Sequence, residues 1–188
     1  LLFSDTTGAE QDRTADNDSL SAFNSNGFTL QASTGNRTNQ SGEDFASWTF
    51  RKQPGFFDVV TYTGTGSAQN ISHNLGSVPG CILIKRTNSS QNWWVYHRGV
   101  DASPESYYLT LNLADARTAT GLLWNSTNPT DSVFTIDSSG NISGGTYVAY
   151  LFAHDAQEFG TGKDESIIKC GSYTGNGNSD GPTIDLGF

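Results

Sequence analysis

Three histidines, His73, His97 and His154, lie within a few residues of Ser72, Asp101, Glu105 or Asp155, so a serine–histidine–carboxylate triad is the first chemistry these residue types suggest. The chain is rich enough in Ser and Asp for such neighbours to arise by composition alone, and no Gly-x-Ser-x-Gly elbow is present to expose a nucleophile. No His-x-x-x-His or Cys-x-x-Cys spacing offers a zinc site. Glu43, Asp44, Asp101 and Glu105 could supply the carboxylate pair of a glycoside hydrolase, which needs a separation of roughly 5–10 Å; solvated loop positions account for them more simply. Asp16-Asn17-Asp18 and Asp137-Ser138-Ser139-Gly140-Asn141 are oxygen-rich like calcium loops, yet neither carries the glycine and distal glutamate of an EF-hand, and side-chain-to-backbone turns explain both. The expectation is therefore no catalytic residue and no cofactor, with calcium the only ion left open.

The most pointed cluster is Trp93-Trp94-Val95-Tyr96-His97-Arg98. On a strand, Trp94, Tyr96 and Arg98 share one face and Trp93, Val95 and His97 the other. If the first set faces outward, Trp94, Tyr96 and Arg98 form a ligand site with the stacking surface and donors that sugar rings favour, and Arg98 can also grip acidic groups. Packing between sheets or subunits is the plainer use of the same residues.

Strand-like patterns bounded by Gly, Asn or Ser recur along the chain at 56–63, 81–85, 93–98, 107–113, 133–136, 147–153 and 167–173. Tyr147-Val148-Ala149-Tyr150-Leu151-Phe152 is apolar at every position, as a central strand covered on both faces must be, whereas Asp58–Tyr62 alternates. Two strand types imply two packed sheets: an all-β fold, an antiparallel β-sandwich of jelly-roll or lectin-like kind. Asn26-Gly27, Gly64-Thr65-Gly66, Ser139-Gly140-Asn141, Gly144-Gly145 and Gly175-Asn176-Gly177 supply the turns, and no helix follows any of them to make a phosphate loop. With 21 glycines, 12% aromatic and only 15% charged residues, the composition suits short strands and many turns.

Internal similarity adds a longer period. Phe28-Thr29-Leu30 followed by Ser41–Phe50 reappears as Phe134-Thr135-Ile136 followed by Ser143–Phe152, at spacings of 106 and 102 residues. Tyr62-Thr63-Gly64-Thr65-Gly66 matches Tyr173-Thr174-Gly175-Asn176-Gly177, and Asn74-Leu75-Gly76 matches Asp185-Leu186-Gly187, both at 111. Internal repeats of about 105–111 residues divide the chain into the trailing half of a preceding unit at 1–56, a complete unit at 57–165, and the opening strands of a following unit at 166–188. The absence of Met and the start on Leu1 read as a cut or processed fragment of a longer protein.

Net charge is −9 and the ten Lys and Arg are scattered, so phosphate-backbone binding is not expected. No apolar run approaches the roughly 20 residues that span a bilayer. Cys81 and Cys170, too few for a disulfide scaffold, are expected to be free, buried thiols.

Taken together, His73-Asn74-Leu75-Gly76, Pro79, Ile82–Arg86, Trp93–His97, Leu111-Asn112-Leu113, Trp124–Thr130 and Tyr147–Ala153 resemble repeat modules of marine bacteriophage structural proteins, which open on a Tyr-Thr-Gly-Asn-Gly strand like Tyr173–Gly177. The likeness covers residues 57–188; residues 1–56 match only its trailing part. The resemblance implies a non-catalytic virion surface module of a tail fibre or capsid appendage. Its partners would be copies of itself, other virion proteins or a host surface glycan. The alternative is a carbohydrate-binding β-sandwich of a secreted or cell-surface bacterial protein.

Overall fold

The computed structural model describes residues 1–13, 20–31 and 38–187. Its strands are β1 (Leu20–Asn24), β2 (Gly27–Leu30), β3 (Phe57–Thr63), β4 (Gln69–Ser72), β5 (Cys81–Arg86), β6 (Trp94–His97), β7 (Tyr107–Thr110), β8 (Thr118–Ala119), β9 (Val133–Ile136) and β10 (Thr146–Phe152). All pairings are antiparallel. Six strands form one sheet in the order β3-β10-β5-β6-β7-β8, while β4-β9 and the β1-β2 hairpin stand as two-stranded sheets. Every strand of the two sheets that share the core comes from residues 57–152.

The side-chain alternation of each strand explains the layering. From β10 Tyr147, Ala149 and Leu151 turn inward, from β5 Ile82 and Ile84, from β4 Ile71, and from β9 Phe134 and Ile136. These residues meet Leu123 and Trp124 of the loop before β9, all 5% exposed or less, so the β4-β9 pair closes the inner face of the large sheet. The result is the antiparallel β-sandwich expected, divided six strands against two. β10 lies inside the sheet, with β3 on one side in full register from Thr146↔Thr63 to Phe152↔Phe57 and β5 on the other. Its run is apolar throughout because Tyr147, Ala149 and Leu151 face the core while Val148, Tyr150 and Phe152 face the apolar surface on the opposite side.

Two strand expectations are corrected. Residues 167–173 form no strand: the Ile168 carbonyl accepts the Asp155 amide (2.9 Å) and the Cys170 amide donates to His154 Nδ1 (3.0 Å), so the segment lies along the sandwich without a ladder partner. β7 stops at Thr110, three residues short of the expected end. Strands β4 and β8 carry no pattern to announce them; only Ile71 of β4 is buried.

The β9–β10 corner is held by Asn141, whose side chain is wholly buried. Its Nδ2 donates to Thr65 Oγ1 (3.0 Å) and to the Ser67 carbonyl, and its Oδ1 accepts the Thr65 amide (3.2 Å). Asp137 Oδ1 caps the preceding turn through the Ser138 amide (2.6 Å). Asp137 Oδ1 and Asn141 Oδ1 of this segment are thus engaged within the fold; Asp16-Asn17-Asp18 lies outside the described residues.

Candidate functional site

Strand β6 carries the residues singled out from the sequence. Tyr96 is 3% exposed, meets Trp124 edge-on at 5.7 Å and donates its hydroxyl to Asn128 Oδ1 (3.2 Å). Trp94 is half-buried, packs at 81° against Tyr108 at 4.9 Å, and its indole N–H finds no acceptor among the described residues. The outward stacking platform of Trp94, Tyr96 and Arg98 is therefore not formed, because β4-β9 and the Trp124 loop cover the face on which both rings stand. Arg98, beyond the end of the strand, is exposed.

Tyr96 and Arg98 nonetheless border a common cleft of about 410 Å³, shared with Val78, Pro79, Asp101 and Asn128. Asp101 is fixed there by Arg117 (2.7 Å) and by the Ser103 amide (3.1 Å), and Arg117 also lies 4.5 Å over the Tyr107 ring. Burial pushes the Tyr96 hydroxyl up to about 12, Glu105 adding to the rise and Arg98 opposing it. Tyr96 thus stays a neutral hydrogen-bonding group at physiological pH.

The other face of the six-stranded sheet holds the larger feature. Phe57 and Val59 of β3, Leu83 of β5, Tyr150 and Phe152 of β10, and Trp93 line an apolar groove of about 570 Å³, rimmed by Phe23, Trp48 and Phe50 from the N-terminal segment. Phe50 reaches Phe57 at 5.5 Å and Phe152 at 5.8 Å, and Trp93 lies near-parallel to Tyr150 at 6.2 Å. The rim is open to solvent: Trp48 is 85% and Phe23 76% exposed. Beside the groove the first residues of the chain cross the sheet. Lys85 is fully buried, with its ammonium donating to the Thr7 and Gln91 carbonyls (2.8 and 2.7 Å); the Trp93 indole donates to the Phe3 carbonyl (2.8 Å). Burial pulls the Lys85 pKa below its ordinary value. The uninterrupted apolar run of β10 announced a second covered face, but the residues that rim it could not be read from spacing.

The histidines do not form a triad. In each, Nδ1 accepts a backbone amide: Leu75 for His73 (3.3 Å), Gly99 for His97 (3.1 Å) and Cys170 for His154 (3.0 Å). A triad histidine donates from Nδ1 to its carboxylate, the opposite arrangement. Burial is the first cause holding all three below the usual imidazole pKa. Cys81 and Cys170 are unbridged and half-buried, and burial pushes the Cys81 thiol up to about 12. Glu43 and Asp44 are exposed and lie in the N-terminal segment, whereas Asp101 and Glu105 both lie in the connection between β6 and β7. No group of three or more His, Cys, Asp or Glu able to hold a metal occurs among the described residues, nor does a helix long and apolar enough to cross a membrane.

The fold and these surfaces define an antiparallel β-sandwich domain that carries a polar cleft and an aromatic groove. The chain belongs to the family described as a domain of unknown function, DUF7483, whose model matches residues 1–188. No curated protein and no solved structure matches the chain.

Proposed function

We propose that this domain is a non-catalytic assembly module of a virion surface, part of a tail fibre or capsid appendage that serves particle assembly or host attachment. The observation that carries the assembly reading is the exposed aromatic surface around the apolar groove, where Trp48 and Phe23 stand in solvent beside a sheet face already lined with aromatics. Exposed contiguous apolar surface of this kind marks interaction sites. The virion setting comes from the resemblance of residues 57–188 to phage structural repeats. Acidic net charge directs any adhesion toward specific contacts and multivalency rather than toward simple attraction to anionic surfaces. The test is whether the gene product is present in purified particles; its absence from them would sink the virion setting.

Carbohydrate binding is favoured by a different observation, the Tyr96–Arg98–Asp101–Asn128 cleft, which offers donors, acceptors and three prolines, Pro79, Pro104 and Pro129. A glycan array on which binding disappears with Arg98→Ala supports it; an array without binding removes it.

A further inference from the structure

We propose that the cleft beside Arg98 takes a sugar acid, a glycan unit whose carboxylate is held by the Arg98 guanidinium while its hydroxyls bond Asp101 and Asn128. The inference rests on the carbohydrate-binding reading of this cleft and adds the charge class of the ligand.

The backbone sets Arg98 at the end of the sandwich. Its amide bonds to the Gly80 carbonyl (2.9 Å), which carries the β5–β6 ladder one residue past His97. Alternation then places the Arg98 side chain on the face of Trp94 and Tyr96. The chain turns away directly afterwards, closed by the Val100 amide on the His97 carbonyl (3.0 Å). Tyr96 is covered by Trp124, whereas Arg98, two residues further on, clears that layer and stands in solvent. It lines the cleft with Val78, Pro79, Tyr96, Asp101 and Asn128, and the volume of about 410 Å³ falls within the range of roughly 300–1,000 Å³ usual for small-ligand sites.

The charges of this cleft are unequally committed. Asp101 is paired with Arg117 (2.7 Å) through Oδ2 and accepts the Ser103 amide (3.1 Å) through Oδ1. Arg98 makes no ion pair and no side-chain hydrogen bond among the described residues, in a chain whose acids outnumber its bases 19 to 10. Its planar fork of N–H donors is matched by a carboxylate, which it can take through two parallel bonds. Asn128 supplies neighbouring donors: its Oδ1 accepts the Tyr96 hydroxyl (3.2 Å), and its Nδ2 has no partner among the described residues. Each Asp101 oxygen keeps acceptor capacity after its one contact, and a sugar hydroxyl is a donor that can use it. Val78, 47% exposed, gives the ring an apolar wall.

The same balance separates a sugar acid from other anions. One arginine beside a carboxylate favours a ligand with a single negative charge and several hydroxyl donors. A phosphate monoester or an acidic peptide brings more negative charge and fewer donors against Asp101. Glu105, whose charge also acts on Tyr96, does not line the cleft.

The test is an array that sets uronate and sialate oligosaccharides beside their carboxyl-reduced counterparts. Charge-assisted hydrogen bonds exceed neutral ones by enough to give about tenfold in affinity, so the acidic glycans should bind about tenfold more tightly than the reduced ones. Arg98→Ala should erase that preference with an unchanged melting temperature, because Arg98 is exposed. Arg98→Lys keeps the charge without the fork and should retain part of it. Asn128→Asp keeps an acceptor for the Tyr96 hydroxyl but turns a second carboxylate toward the ligand, and should also erase the preference. If acidic and reduced glycans bind alike, or Arg98→Ala leaves the preference intact, the charge assignment is overturned and the carbohydrate reading stands. If no glycan binds, both fall. Binding of a polyglutamate peptide in place of any glycan, lost in Arg98→Ala, also overturns the proposal by making the cleft a peptide site.

Discussion

Asn141 and Asp58 show how single polar side chains set the corners of this sandwich. Asn141, itself buried, satisfies the Thr65 amide and two oxygen acceptors of the β3–β4 turn. Asn141→Ala strands those partners, and a loss of about 1–3 kcal/mol is expected, read from urea unfolding. Asp58 is 3% exposed; its carboxylate accepts the Asn74 amide (2.8 Å) and the Val59 amide (2.9 Å) and lies 3.1 Å from Lys52. Burial pushes its pKa up, but the two amides and Lys52 outweigh burial, and the net value lies below the ordinary 3.8. On acidification the unfolded chain therefore binds this proton first. The carboxylate's stabilisation is complete above the unfolded value and fades as pH falls through the folded one. Asp58→Asn is expected to cost about 1.5–3 kcal/mol at neutral pH, the range for hydrogen bonds to charged groups. It should also flatten the acid limb of stability against pH, measured by denaturant midpoints from neutral pH down to about pH 2. An unchanged acid limb would assign the linkage to other carboxylates.

At the scale of elements, the turn after β3 fixes the pairing of β3 with β10. Gly64 donates to the Gly145 carbonyl (2.7 Å) and accepts the Gly144 amide (3.0 Å), so the strands close too tightly there for a side chain. Because the blocking atoms are backbone, Gly64→Ala is expected to cost about 1–3 kcal/mol or more and to expose the aromatic residues of β3, detectable as a lowered midpoint and altered near-ultraviolet dichroism. β3, β5, β9 and β10 were legible in the sequence because each alternates or runs apolar between glycine-rich turns. The cluster at residues 93–98 was legible as a strand but not in its facing. Trp94 and Tyr96 on one side and Trp93 and Val95 on the other are all large and apolar, so alternation alone could not say which set met the closing β4-β9 pair.

For the whole molecule, the proposed assembly role rests on the aromatic groove and its exposed rim. Trp48 is 85% exposed, so Trp48→Asp should change the stability of the single chain by no more than about 0.5 kcal/mol. Self-association should nonetheless weaken, followed by light scattering across protein concentration with calcium added and removed. Association that survives Trp48→Asp unchanged would remove this rim from the interface.

The sequence alone sufficed for the all-β class, the glycine turns and the apolar run of β10. These follow from local rules: side-chain alternation and backbone freedom at glycine. Only the tertiary structure decided that Tyr96 belongs to the core, that Arg98 and Asp101 share a cleft, that Lys85 is buried under the first residues of the chain, and that 167–173 makes no strand. Each of these depends on what a second, sequence-distant segment does. A strand forms where a ladder partner is present, and a ring is buried where another layer covers it; neither condition is written in the segment itself.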